Sequence, residues 1–187
     1  MTMQAQNGDG RRGASWWRVL PWVGASALLA APAVAMRLGA DVDWTAFDFI
    51  VAGFMLAVPL ALFELALRAS GSLAYRAGAV VALGTAFLIT WSNLAVGIIS
   101  NENDPINLMF FGVIFVAIGG AFLAGFRAKG LAVAMTAAAA AQAATAVVAL
   151  AGGHFEFVII GVFMTGWLMS AWLFRKAAEA EARATSS

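Results

Sequence analysis

Six long apolar runs divide the chain, and each is long enough to cross a lipid bilayer. They cover residues 19–36, 49–67, 77–99, 106–126, 131–151 and 157–174. At about 1.5 Å per helical residue they reach about 27–35 Å, which matches a hydrocarbon core near 30 Å. Lipid offers the backbone no hydrogen bonds, so segments of this length must be helices that satisfy their own N–H and C=O groups. Only 11% of the 187 residues are charged, 63% are hydrophobic and the mean hydropathy is +0.87. A water-covered surface needs about 25% charged residues. The expected fold is therefore all-α, a polytopic transmembrane bundle of six up-and-down helices over residues 16–176. A disordered cytoplasmic tail over 1–15 should precede it, and a cytoplasmic helical extension and tail over 177–187 should follow.

The basic residues set the expected orientation. Arg11, Arg12 and Arg18 precede the first run, Arg68 and Arg76 follow the second, and Arg127 and Lys129 follow the fourth. Arg175, Lys176 and Arg183 follow the sixth, so ten of the eleven Lys and Arg residues fall on one side, and only Arg37 on the other. Basic residues stay cytoplasmic, which places both termini inside. The outer connections instead carry Asp41, Asp43, Asp48, Glu102, Asp104, His154 and Glu156. Thr45 and Asp48 have the spacing of a capping box, and Asp104–Pro105 reads as an N-cap followed by a first-turn proline. Trp16, Trp17, Trp22, Trp44 and Trp172 fall where interfacial anchors are expected, and Arg175, Glu179 and Arg183 are spaced for i,i+4 pairs.

A second reading of the N-terminus is a cleaved secretory signal, with a basic start at Arg11 and a cleavage site at Ala33-Val34-Ala35. The apolar stretch exceeds the 7–15 residues usual for one, which favours a retained helix. Phe126-Arg127-Ala128-Lys129-Gly130 echoes Leu67-Arg68-Ala69-Ser70-Gly71, but basic residues at every inner end produce that echo without duplication.

Composition also removes whole classes of chemistry. There is no cysteine, hence no disulfide, thiolate nucleophile, iron–sulfur cluster or Cys-type zinc site. His154 is the single histidine, so one chain cannot supply two imidazoles to a haem. The outer loop at Ser100-Asn101-Glu102-Asn103-Asp104 lacks the spacing and glycine of a calcium loop. No metal and no cofactor are expected. A net charge of +1 points to no nucleic-acid partner. No zinc-protease, hydrolase or nucleotide-binding motif occurs, so the chain is not expected to be an enzyme.

Polar residues inside the spans are the remaining functional candidates, because hydrocarbon penalises them unless they find partners. These are Glu64, Thr90, Asn93 and Gln142. Glu64 lies near the inner surface with Arg68 at i+4, the favourable order for an ion pair. Thr90, Asn93 and Gly97 share one face of the third helix. Helical rise puts Gln142 about level with Thr90 and about 5 Å below Asn93, so the third and fifth helices are expected to touch there. The fifth helix is almost all alanine around Gln142 and should sit centrally, since small residues gain more from close packing than from lipid. Ala117, Ala121 and Gly125 on the fourth helix, with Gly161/Thr165 and Gly166/Ser170 on the sixth, are expected packing seams.

The run Trp91-Ser92-Asn93-Leu94-Ala95-Val96-Gly97-Ile98-Ile99, followed by Asp104-Pro105-Ile106-Asn107-Leu108-Met109, resembles a group of small, uncharacterised bacterial integral membrane proteins. They share W-x-N-L-A-V-G-I-I and then N-P-x-N-L-M; Asp104 replaces the first asparagine of the second motif. Asp48–Gly53 and the Phe63–Glu64 region extend the resemblance, which covers roughly residues 42–130. It implies a multi-pass protein of the bacterial inner membrane and no particular activity. The expected role is an accessory or structural membrane subunit, in a homo-oligomer or larger complex. The alternative is a small oligomeric transporter or channel that uses Glu64, Thr90, Asn93 and Gln142.

Overall fold

Each apolar run becomes a helix in the computed structural model, which describes residues 16–101 and 103–186. The helices are α1 (Trp16–Arg37), α2 (Ala46–Ala69), α3 (Leu73–Ala95), α4 (Leu108–Leu123), α5 (Ala128–Ala151) and α6 (Phe157–Ser186), with a 3₁₀ turn at Pro105–Asn107 before α4. No strand occurs among the described residues. All six are long and apolar enough to span a membrane, α4 together with its 3₁₀ turn. The tail expected over residues 1–15 lies outside the described residues.

The chain divides into two compact units, Met1–Ala61 and Leu62–Ser187. In the first, α1 carries Pro21 and Pro32 and none of its described residues is buried. Here α2 begins as its sequence anticipates. The Thr45 amide donates to Asp48 Oδ2 at 2.7 Å, and the Asp48 amide donates back to Thr45 Oγ1 at 3.4 Å. This reciprocal capping box satisfies amides that an apolar helix start would strand.

In the second unit, α3 packs against α6, α6 against α5, α5 against α4 and, more lightly, α4 against α3. This order closes a four-helix ring in which α3 and α5 lie diagonally. The contact expected between them is replaced by packing of both on α6 and α4. Of the six helices, α5 has the largest share of buried residues, including Ala134, Ala138, Ala139 and Ala149. One stripe of α5 nevertheless stays open, through Val133, Ala137, Ala140, Ala144 and Val147.

Close approach of backbones fixes the pairs. A Cβ placed on Gly120 of α4 would stand 2.7 Å from the Cβ of Ala134 on α5 and 3.2 Å from its Cα. A Cβ on Gly166 of α6 would overlap Thr85 of α3. Ser170 Oγ donates to the Gly78 carbonyl at 2.8 Å, again between α6 and α3. Gly166 and Ser170 thus form the expected seam. Gly161 and Thr165 do not: Thr165 donates to its own helix at Gly161 and is exposed, and nothing lies near Gly161.

Two helices stop well short of the C-terminal end of their apolar run. α3 stops at Ala95 rather than at Ile99, because Gly97 takes φ +73° and turns the chain. α4 stops at Leu123 rather than at Phe126, where Gly125 and Phe126 both adopt positive φ. Tyr75 Oη donates to the Phe126 carbonyl at 2.8 Å and secures that turn. The extension of α6 runs to Ser186 as expected, but its ion pair is Lys176–Glu179 at 3.8 Å, not one from Arg175.

Candidate functional site

The four intramembrane candidates separate into two that are satisfied locally and two that are not. Glu64 sits on the last turns of α2 and accepts from Arg68 Nη2 at 3.3 Å, an i,i+4 pair on the partly exposed end of the helix. Thr90 is half-buried and donates to the Ala86 carbonyl of its own helix at 2.9 Å. A shallow cleft of about 330 Å³ is lined by Ala30, Ala33, Val34, Arg37 and Leu38 of α1 and its C-terminal end.

Asn93 and Gln142 are buried, as expected, at 4% and 0% exposure. Neither oxygen nor nitrogen of the Asn93 side chain has a hydrogen-bond partner. Gln142 Nε2 donates to Thr145 Oγ1 at 3.3 Å, whereas Gln142 Oε1 has none. Burying an amide without a partner costs about 1–3 kcal/mol in a protein setting. Two further atoms share this condition, Trp167 Nε1 on α6 and Glu156 Oε2 at its start. Trp167 is not among the tryptophans expected as interfacial anchors, and it is buried at 1% exposure; Glu156, expected in an outer connection, is half-buried there.

Asn107 is the residue that sequence reasoning missed. It is buried at 4% exposure, yet every group of its amide is used. Its Oδ1 accepts from the Ile98 and Ile99 amides at 3.1 and 2.9 Å. Its Nδ2 donates to the Ile99 and Asn101 carbonyls at 2.9 and 2.7 Å. Asp104 Oδ1 accepts from the Ile106 amide at 3.1 Å and opens the 3₁₀ turn that presents Asn107. One side chain therefore replaces the backbone partners that the segment after α3 lacks. Gly97, Ile98, Ile99 and Asn107 all belong to the two short motifs in the sequence, so those motifs describe a locked connection between α3 and α4.

Among the described residues no three His, Asp or Glu side chains cluster closely enough to hold a metal ion. No family model, no curated protein and no solved structure matches the chain.

Proposed function

We propose that this chain is a multi-pass protein of the bacterial inner membrane, both termini cytoplasmic, that serves as an accessory or structural subunit of a membrane complex. The observation that carries this reading is the contrast between α1 and the four-helix ring. The ring fills its own interior with close Gly and Ala contacts and large side chains such as Phe110 and Trp167. α1 buries no described residue, although Gly24, Ala25, Ser26, Ala27, Ala30, Ala31, Ala33 and Ala35 give it a largely small-residue surface. Lipid favours large apolar side chains, and helices rich in small residues gain chiefly from other helices. A helix with such a small-residue surface is suited to close packing against another helix, and we read it as the face offered to a protein partner.

Photo-crosslinking in native membranes tests the reading. A photoreactive amino acid at Ala30 or Ala33 should give discrete protein adducts identified by mass spectrometry. The same group at Val158, which is 84% exposed, should give lipid adducts only. Lipid adducts alone from both α1 positions would remove the basis for an accessory role.

The unpartnered amides of Asn93 and Gln142 support a second reading, a small oligomeric transporter or channel. That reading requires water to reach them. Solvent exchange of the Gln142 side-chain amide in a micelle or nanodisc would favour it, and full protection would remove it.

A further inference from the structure

Glu156 and Asn93 are separated by sixty-three residues, yet the packing of α3 on α6 brings them to one level. Two contacts fix the register. Gly78 lies against Phe174 and accepts from Ser170, and Thr85 lies against Gly166. Residue number therefore rises along α3 as it falls along α6. Eight residues beyond Thr85 is Asn93, and eight before Gly166 is Val158. Glu156 is two residues further, an axial offset of about 3 Å. Asn93 continues the buried stripe of Thr85 and Ile89 on α3, and Glu156, half-buried just before α6, extends the line of Phe163 and Ile160. Packed helices stand about 8–10 Å apart, and the register of α3 on α6 puts the two residues within about one turn of the same level.

Three polar side-chain atoms at this level are buried without a hydrogen-bond partner: the acceptors Glu156 Oε2 and Asn93 Oδ1, and the donor Asn93 Nδ2. The end of α3 adds more. Because the Ile98 and Ile99 amides are turned to Asn107, they do not cap the carbonyls of Asn93, Leu94 and Ala95. Those carbonyls form the negative end of the α3 dipole, which offsets the positive end of α6 and leaves the charge of the carboxylate. No Lys or Arg occurs between Arg76 and Arg127, or between Lys129 and Arg175, so no side-chain cation of these helices lies at this end. His154 packs beside Gly152, and Asp104 is engaged at its own N-cap.

We propose that Glu156, Asn93 and the C-terminal carbonyls of α3 form a binding site for a small monovalent cation of the sodium type. The ligand class follows from the donors. All are hard oxygens, which select alkali and alkaline-earth ions. A single carboxylate balances one positive charge, whereas a divalent site ordinarily draws on several. Carbonyls at the C-terminal ends of helices coordinate sodium in membrane transporters. The proposal does not depend on the accessory role, since a bound ion could serve a structural or a transport protein equally.

The test uses the full chain in detergent or nanodiscs, with thermal unfolding in sodium chloride and in choline chloride of equal ionic strength. Sodium at about ten times its Kd should raise Tm by roughly 3–6 °C, the shift such binding gives a chain of this length. The increment should vanish in Glu156→Gln and shrink in Asn93→Ala, and Glu179→Gln, in the exposed pair with Lys176, should keep it. Broadening of the sodium-23 resonance by the wild-type protein, reversed by excess lithium, gives a readout that needs no variant. Equal Tm in sodium and choline, or an undiminished increment in Glu156→Gln, overturns the proposal.

Discussion

Asn107 uses both ends of its amide on the backbone, whereas Asn93, fourteen residues earlier, uses neither. Removing the first leaves two buried N–H groups and two carbonyls without partners, each worth about 1–3 kcal/mol. We expect Asn107→Ala to destabilise the protein by about 3–5 kcal/mol in denaturant unfolding, allowing for partial relaxation toward water. Asn107→Asp keeps the acceptor and loses the donor, and should fall between Ala and wild type. Glu64 makes the opposite case. Its pair with Arg68 is formed at a partly exposed helix end, where such pairs contribute about 0.2–1 kcal/mol. Glu64→Gln should therefore shift stability by less than about 1 kcal/mol. A larger loss would mean that Glu64 has a task beyond this pair. The Glu64–Arg68 contact was legible from spacing alone, because i,i+4 neighbours meet on any helix. The role of Asn107 was not, since it depends on where four backbone groups of another segment end up.

At the scale of elements, hydropathy located every helix and misjudged the ends that apolar residues disguise. Ile98 and Ile99 are buried at 5% and 0% exposure, so they extend the apolar run without extending the helix. What ends α3 is the positive φ of Gly97 and the capture of the next amides by Asn107, and neither leaves a mark in hydropathy. The central place of α5 was readable because alanine is a poor lipid-facing residue. Which helices it would touch was not. Ring order depends on shapes such as the Gly120–Ala134 contact, and so the pairing of α3 with α5 failed while the burial of Asn93 and Gln142 held. The same contact gives a paired prediction. Gly120→Ala forces α4 and α5 apart and should cost about 1–3 kcal/mol. Gly119→Ala meets nothing within 4 Å and should be neutral or stabilising by up to about 1 kcal/mol. Thermal unfolding of the two variants side by side separates the effect of the seam from the general effect of replacing a helical glycine.

For the whole molecule, the open question that chemistry can reach most directly is which connections share a side of the membrane. The proposed orientation rests on ten of the eleven Lys and Arg residues: it puts the connections after α2 and α4 and both chain ends in the cytoplasm, with those after α1, α3 and α5 outside. The absence of cysteine makes the measurement clean, since any introduced cysteine is the only thiol in the chain. Ser100→Cys and Gly71→Cys are suitable positions. Ser100 is exposed in the connection after α3, and Gly71 is exposed in the short link between α2 and α3 with nothing within 4 Å of an added Cβ. In intact cells a membrane-impermeant maleimide should label Ser100→Cys and spare Gly71→Cys. After the membrane is opened, both should react. Labelling of both in intact cells would contradict a transmembrane α3, and labelling of Gly71→Cys alone would invert the orientation. The N-terminus is checked by mass. A retained first helix gives an intact chain of 19.4 kDa, whereas cleavage after Ala35 would remove the first thirty-five residues and leave five spans. Because the Ser100 and Gly71 reactions flank α3, they report its orientation in either case, and the mass then decides on which side the chain begins.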